Sequence, residues 1–370
     1  MPFFLIINKI RHYFAKLWMQ AIRIGEGSHK VGTRPTLKDV AQKSGYALRT
    51  VKKVMSGDPS VRDSTKQAVL AAAESLNYTK NLAATALAKN QIQRVAVVYT
   101  AMTKAYFPEV AEGFRAAQEG YRDFGLYLEY HILEQPGDVP QKKLLESFLQ
   151  REDLAGVIIQ PISATSLNPQ INALADAGIP VITFGADAPD SRRLCYAGPN
   201  AYKSGRIGGQ ILANYVGKKG KVYIVNRGGD HMQTRERSAG FMDRMREYYP
   251  EICVQELNLN DDKDLYYHAV QSVVTREPVV GLFCTDANTL IAGQVLHDLG
   301  RPDVALVGFD LSDDGISLMK DGYIRVIIEQ KPESFSALAT TLMFRYLAAR
   351  EKPEEQNYTP LYILTSECLD

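Results

Sequence analysis

The sequence predicts an α/β protein: an all-α helix-turn-helix head followed by two doubly wound parallel-sheet subdomains. Three observations carry that expectation. The stretch "TLKDVAQKSGYALRTVKKVM", residues 36–55, has apolar residues at helical spacing on both sides of a Gly-containing turn. From residue 94 onward, apolar runs alternate with amphipathic stretches of about ten to fifteen residues, the pattern of strand–helix–strand units. The charge is also divided. Through residue 93 there are 15 Lys and Arg against 5 Asp and Glu, whereas the remainder has 28 against 37. A basic head on an acidic body points to a polyanionic partner for the head alone.

In the head, Leu37, Val40 and Ala41 mark the first helix, and Leu48, Val51, Val54 and Met55 mark the second. Thr36, followed three residues later by Asp39, approximates a capping box that starts the first helix. Ser44-Gly45-Tyr46 makes the turn. A third helix over 63–77 places Val69, Leu70, Ala73 and Leu76 on one face. Arg49, Lys52 and Lys53 fall on the polar side of the second helix. Arg and Lys reach guanine O6 and N7 in the major groove, and the short hydroxyls of Thr36 and Thr50 suit phosphate. The expectation is a DNA-binding head whose second helix enters the major groove.

Next comes "NLAATALAKN", residues 81–90, Ala-rich and helix-prone but too short to be helical alone in water. Ordering it costs on the order of 10 kcal/mol, which local propensity does not supply. A helix is expected there only when DNA and a second copy help.

The 370 residues, 45% of them hydrophobic, suffice for two or three domains. In the body "RVAVVYT", "LYLEYHIL", "AGVIIQP", "PVITFG" and "LCYAG" read as strands. "KVYIVN", "CVQELNL", "VVGLFCT", "VALVGFD" and "YIRVIIEQ" continue them to residue 330, and "YILTSECLD" reads as a last strand. About ten such units exceed one sheet, hence two subdomains.

Several classes are disfavoured. Cys195, Cys253, Cys284 and Cys368 show no C-x-x-C spacing. Cys253 and Cys284 lie in strand-like runs, so buried reduced thiols and a reducing, cytoplasmic compartment are expected. "FFLII" is too short for a signal-peptide core, and no run approaches the ~20 apolar residues of a membrane helix. Positions 3, 6, 7, 10, 14, 17 and 18 form an apolar stripe among Lys9, Arg11 and Lys16. That stripe fits a loosely ordered extension or a membrane-surface helix. "TAMTKAYFPEV" after the first strand has no Gly-rich phosphate loop, the six His form no metalloprotease motif, and no G-x-S-x-G occurs. The expectation is a non-enzyme without cofactor or metal.

The stretch "TLKDVAQKSGYALRTVKKVMSG…VRDSTKQAVLAAAESLNYTKNLAATALAKN" resembles the DNA-binding head and hinge of the lac-repressor (LacI/GalR) family of bacterial transcription factors. The resemblance implies that Leu48, Arg49 and Lys53 touch base edges. It also implies that the hinge helix carrying Leu87 and Lys89 forms on operator DNA, with Leu87 wedged into the minor groove. The family usually has Ser-Arg where this chain has Lys52-Lys53.

The body resembles the type-I periplasmic-binding-protein fold that this family uses for effectors, above all its sugar-binding branch. "AYFPEVAEGF", "AGPNAYKSGRIGG", "RERSAGF", "CTDANTLIAG", "VGFD" and "IEQKP" carry that likeness. It implies an effector between two lobes. Tyr106 and Phe107 would stack on a sugar face, Arg237 would donate to ring and hydroxyl oxygens, and Asp286, Asp310 and Gln330 would hold hydroxyls. Asp286 stands where the family commonly has Asn. "TFGADA" lacks the Asp or Asp-Arg pair usual after that strand, and Asp187 comes two positions late.

The expected organisation is an extension over 1–33, the head over 34–80, the hinge over 81–92 and the effector domain over 93–370. Its N-lobe is expected at about 93–190 and 286–322, and its C-lobe at about 191–285 and 323–370. The expected function is a regulator, of repressor type, that binds operator DNA as a homodimer and responds to a sugar-like effector. The rival reading is a transporter's solute-binding protein.

Overall fold

The computed structural model describes residues 35–55, 58–78, 92–101, 106–134, 137–227, 231–259 and 263–369. The extension, the hinge with Leu87 and Lys89, and the expectations attached to them lie outside the described residues. The chain forms two compact units, residues 1–81 and 82–370.

The head is three helices: α1 (Leu37–Ser44), α2 (Leu48–Met55) and α3 (Asp63–Ser75). Thr36 caps α1 as expected: its backbone N–H donates to Asp39 Oδ2 at 2.7 Å and its hydroxyl to the same oxygen at 2.8 Å. Gly45 ends α1 in the left-handed region at φ 73°, where a residue without Cβ adds no strain. Val40, Val51, Val54, Val69, Ala72 and Ala73 form the core, with Leu37, Ala41, Met55 and Leu76 packed against them. Leu70 is not on that face. It is 51% exposed, because the α3 stripe runs through 69, 72, 73 and 76.

The second unit holds two sheets. β1 (Gln93–Thr100), β2 (Leu126–Leu133), β3 (Leu154–Ile159), β4 (Val181–Phe184), β5 (Cys195–Gly198) and β11 (Gln356–Tyr358) form the first, in the order β11-β5-β4-β3-β1-β2, all parallel. β6 (Gly220–Arg227), β7 (Ile252–Leu259), β8 (Val279–Cys284), β9 (Ala305–Phe309), β10 (Val326–Glu329) and β12 (Tyr362–Leu364) form the second, in the order β12-β10-β9-β8-β6-β7. Its pairs are parallel except β10 with β12.

The N-lobe helices are α4 (Tyr106–Tyr121), α5 (Asp138–Phe148), α6 (Asn168–Asp176) and α12 (Pro332–Ala349). The C-lobe carries α7 (Ala201–Tyr215), α8 (Met232–Tyr248), α9 (Lys263–Arg276), α10 (Thr289–Asp298) and α11 (Asp313–Lys320). Central strands such as β3 and β8 are nearly all buried, whereas the edge strands β2 and β7 alternate. That alternation corrects one expectation: Cys253 sits on β7 facing outward and is exposed, while Cys195 and Cys284 are buried.

The expected lobe boundaries also need correction. β9 pairs with β8 and β10, so 286–322 belongs to the C-lobe. β5 pairs with β4 and belongs to the N-lobe. α12 packs Phe335, Ala339 and Met343 among Val95, Val97 and Phe114, so it too is N-lobe. The chain therefore passes between sheets after β5, after β10 and after β11. Hydrogen-bond partners, not apolar content, decide which sheet a strand joins.

Candidate functional site

In the head, α2 presents Arg49, Lys52 and Lys53 to solvent, with Leu48 and Thr50 half-buried beside them. Val51 and Val54 fix the rotation of the helix by filling the core. Lys53 Nζ lies 3.4 Å from Asp58 Oδ2 and 3.3 Å from Ser60 Oγ, so the following loop holds its head group. Thr36, exposed at the α1 N-terminus, has its hydroxyl engaged by Asp39.

The body gathers polar groups at the C-terminal ends of its strands, where open parallel sheets bind ligands. Arg237, on the buried face of α8, is 3% exposed. α8 crosses α7 so closely that a Cβ on Gly205 would overlap the Arg237 carbonyl, and one on Gly240 the Tyr202 carbonyl. The glycines thus bring Arg237 down onto the strand ends. Its guanidinium stacks 3.8 Å from the Phe309 ring centroid. One arm donates to the Thr285 carbonyl at 2.6 Å and the other to Gln330 Oε1 at 2.5 Å. Gln330 in turn donates through Nε2 to Asp310 Oδ1 at 2.7 Å.

Asp310 follows β9 with left-handed backbone, φ 60°, a conformation Asp adopts more readily than most residues. Burial pushes its carboxyl up to about 6; Arg237 opposes, and Glu329 and Asp286 add to the rise. Asp286 follows β8 and accepts the Asn288 N–H at 2.9 Å. Both acids, expected to border the N-lobe, belong with Arg237 and Gln330 on the C-lobe.

Across from them the N-lobe contributes Tyr106 and Phe107 at the start of α4. Phe107 packs 5.2 Å from Tyr99, and Tyr106 6.3 Å from Phe335. Tyr106 Oη accepts from Gln160 Nε2 at 2.8 Å. Burial pushes the Tyr106 hydroxyl well above its ordinary value, with the Asp310 charge adding and Arg237 opposing, so the two lobes meet electrostatically there. The sequence reading missed Gln160. Its signal was its place directly after the apolar run of β3.

Asp187 has a different job. Arg193 holds it with bonds of 2.5 and 2.7 Å, and Thr183 donates to it at 2.6 Å. Gln356 of β11 also reaches it at 3.2 Å. It anchors the loop after β4 and is spent within the N-lobe.

The sequence profile of the periplasmic binding protein domain matches residues 95–351. That of the bacterial regulatory proteins, lacI family, matches residues 36–81. The chain belongs to the periplasmic binding protein domain family and carries a lacI-family head. It is a DNA-binding transcriptional regulator whose body is a periplasmic binding protein domain. It is 25% identical to the ribose operon repressor of Bacillus subtilis (strain 168), covering 74% of this chain and 81% of that one. It is 27% identical to the ribose import binding protein RbsB of Salmonella typhimurium, covering 74% and 89%. A crystal structure of GanP, a glucose-galactose binding protein from Geobacillus stearothermophilus, superposes with a TM-score of 0.69 at 23% identity, over 75% of this chain and 99% of that one. No helix among the described residues is long and apolar enough to cross a membrane.

Proposed function

We propose that this regulator is a cytoplasmic repressor that binds operator DNA as a homodimer and is controlled by a sugar-like effector held between its lobes. In this reading Leu48, Arg49, Thr50, Lys52 and Lys53 meet DNA from α2, Thr36 meets phosphate, and Leu87 and Lys89 meet it from the hinge. Tyr106 and Phe107 cover an apolar sugar face. Arg237, Asp286, Asp310 and Gln330 bind its hydroxyls. The chain has no catalytic role.

One observation carries the effector reading: the Arg237–Gln330–Asp310 chain of hydrogen bonds stands at the strand ends of one lobe, opposite aromatics of the other. Sugars need this pairing, because they present hydroxyls around the ring edge and C–H groups on the faces. The ribose-related relatives support the same class. The lacI-family head argues against a transport protein, whose task requires no DNA.

The test has two arms. Duplexes selected from a random pool by the purified chain should lose ~1–3 kcal/mol of affinity in Arg49→Ala, with a far smaller loss on unrelated DNA. Equal losses would reduce Arg49 to a phosphate contact. A sugar that raises the melting temperature of the full chain should change affinity for the selected duplex by ~1–3 kcal/mol in either direction, and DNA should change sugar affinity by the same factor. A sugar that binds without any such coupling would remove it from the role of effector.

A further inference from the structure

The DNA-facing side of the head carries two kinds of cation. Arg49 lies in the first turn of α2 and Lys53 one turn further on, and both are exposed. At i and i+4 they share one face of the helix, about 6 Å apart along its axis. An Arg brings its own direction to a base edge, because its donors sit in a rigid planar fork. A Lys is a compact charge on a flexible stem. Next to DNA such a charge is drawn to phosphate, a contact that carries no sequence information. To read a base, Lys53 has to be aimed by something outside its own side chain.

The loop after α2 does this. The Asp58 N–H donates to the Lys53 carbonyl at 3.0 Å, which folds the chain back against the end of the helix. Asp58 Oδ1 accepts the Ser60 N–H at 2.9 Å, a side-chain turn that fixes the carboxylate. Its other oxygen, Oδ2, stands 3.4 Å from Lys53 Nζ, and Ser60 Oγ accepts from the same ammonium at 3.3 Å. Bonds from Ser60 hold the Asp58 carboxyl below its ordinary range, with the Lys53 charge adding, so it is ionised at neutral pH.

A carboxylate beside a polyanion is unfavourable by itself, since like charges repel. On unrelated DNA, Lys53 has to leave Asp58 to reach a phosphate, and the carboxylate it leaves then faces that phosphate uncompensated. On a cognate duplex a base edge meets the head group in the direction the loop already sets. Resting on the reading that Lys53 meets DNA from α2, we propose that Asp58 is a positioning residue for sequence recognition: its carboxylate, with the Ser60 hydroxyl, aims Lys53 at base edges and withholds it from phosphate. An exposed ion pair shifts an equilibrium by no more than about fivefold, so the effect is modest in size and definite in sign.

The test measures the full chain on two duplexes over a range of salt. One duplex is selected from a random pool by the purified chain, and the other is the same composition shuffled. Asp58→Asn keeps an oxygen for the Ser60 N–H and removes the charge. It should bind the shuffled duplex about threefold to fivefold more tightly, with a smaller gain on the selected one. Its salt slope on the shuffled duplex should steepen by about 1, the signature of one more cation on phosphate. A pool selected by Asp58→Asn should lose constraint at the same base position that Lys53→Gln relaxes. In the Lys53→Gln background, Asp58→Asn should alter neither ratio, slope nor constraint; this double-mutant cycle isolates the pair from every other contact of either residue. Equal gains on both duplexes, or the same fall in the ratio without Lys53, would reduce Asp58 to a bulk negative charge and overturn the inference. An unchanged ratio and slope in Asp58→Asn, with Lys53→Gln still weakening selected binding, overturns the inference and leaves Lys53 on DNA. A Lys53→Gln chain that binds both duplexes as the wild type does overturns the reading of Lys53 and the inference with it.

Discussion

The N-lobe and the C-lobe repeat one strand order, yet equivalent strand ends bring different chemistry to the cleft. In the N-lobe the residues after β3 and β4 are Gln160 and Gly185; in the C-lobe the residues after β8 and β9 are Thr285 with Asp286, and Asp310. One face is aromatic and amide, fixed by packing of Tyr106 and Phe107 on Phe335 and Tyr99. The other is a hydrogen-bonded set of charged groups around Arg237. A shared topology thus fixes where a ligand can sit and leaves to individual residues what it must be. The aromatic packing comes from one lobe and the Arg237 network from the other.

The sharpest way to break this contrast is Arg237→Ala. Removing a buried guanidinium strips Gln330 of its donor and takes away the Arg237 charge that acts on Asp310 and Asp286. Stability of the body should fall by roughly 3–5 kcal/mol in urea denaturation. A loss below about 1 kcal/mol would mean that the C-lobe network contributes as little as a surface ion pair.

A smaller effect sharpens the charge side alone. Asp310 has a folded-state pKa raised to about 6 against an ordinary 3.8, so the folded form binds the proton more tightly. Its contribution to stability is present at low pH and is lost as pH rises from about 4 to about 6, a change of about 2–3 kcal/mol. Glu109, raised to about 7, acts with the same sign over a slightly higher window. Asp310→Asn should flatten the lower part of that decline in denaturation curves taken across pH. Identical slopes in both proteins would show that Asp310 titrates normally.

The smallest effect falls on the N-lobe. Tyr106→Phe keeps the ring against Phe335 and removes the hydroxyl that accepts from Gln160. It should cost about 1 kcal/mol of stability, with no change in the pH slope. A changed slope would place Tyr106 within the charged set and dissolve the division between the lobes.

The head was legible almost to the residue because its determinants are local: a cap at Thr36, a left-handed Gly45, and stripes at helical spacing. Leu70 misled because Ala72, small and weakly hydrophobic, holds the core position beside it. In the body, the strands and the polar residues at their ends were legible, since both follow from runs of apolar residues and where they stop. Sheet membership was not. Central strands of either sheet read as the same continuous apolar run, so Asp286 and Asp310 were placed on the wrong lobe. Each passage between sheets does carry a proline near it, at Pro199, Pro332 and Pro360. Pro occurs at other loops too, and its presence alone does not tell a crossing from a turn.

The passage after β10 has a consequence for the order in which the chain matures during synthesis. Residues 201–329 build α7 through β10 without interruption, so when residue 329 is made the C-lobe still awaits its antiparallel edge strand β12 and the C-terminal residues that pack beside it. The N-lobe strands β1 to β5 emerge earlier, but the helix that covers one of their faces, α12, is made after the other α-helices of the described residues. The sheet that is translated first therefore stays uncovered on that face until α12 is made. Until then Val95, Val97 and Ile182 lack the cover of Phe335, Ala339 and Met343, an apolar face of the kind that chaperones shield on nascent chains. A fragment ending at residue 198 is for the same reason an uncovered sheet rather than an isolated lobe.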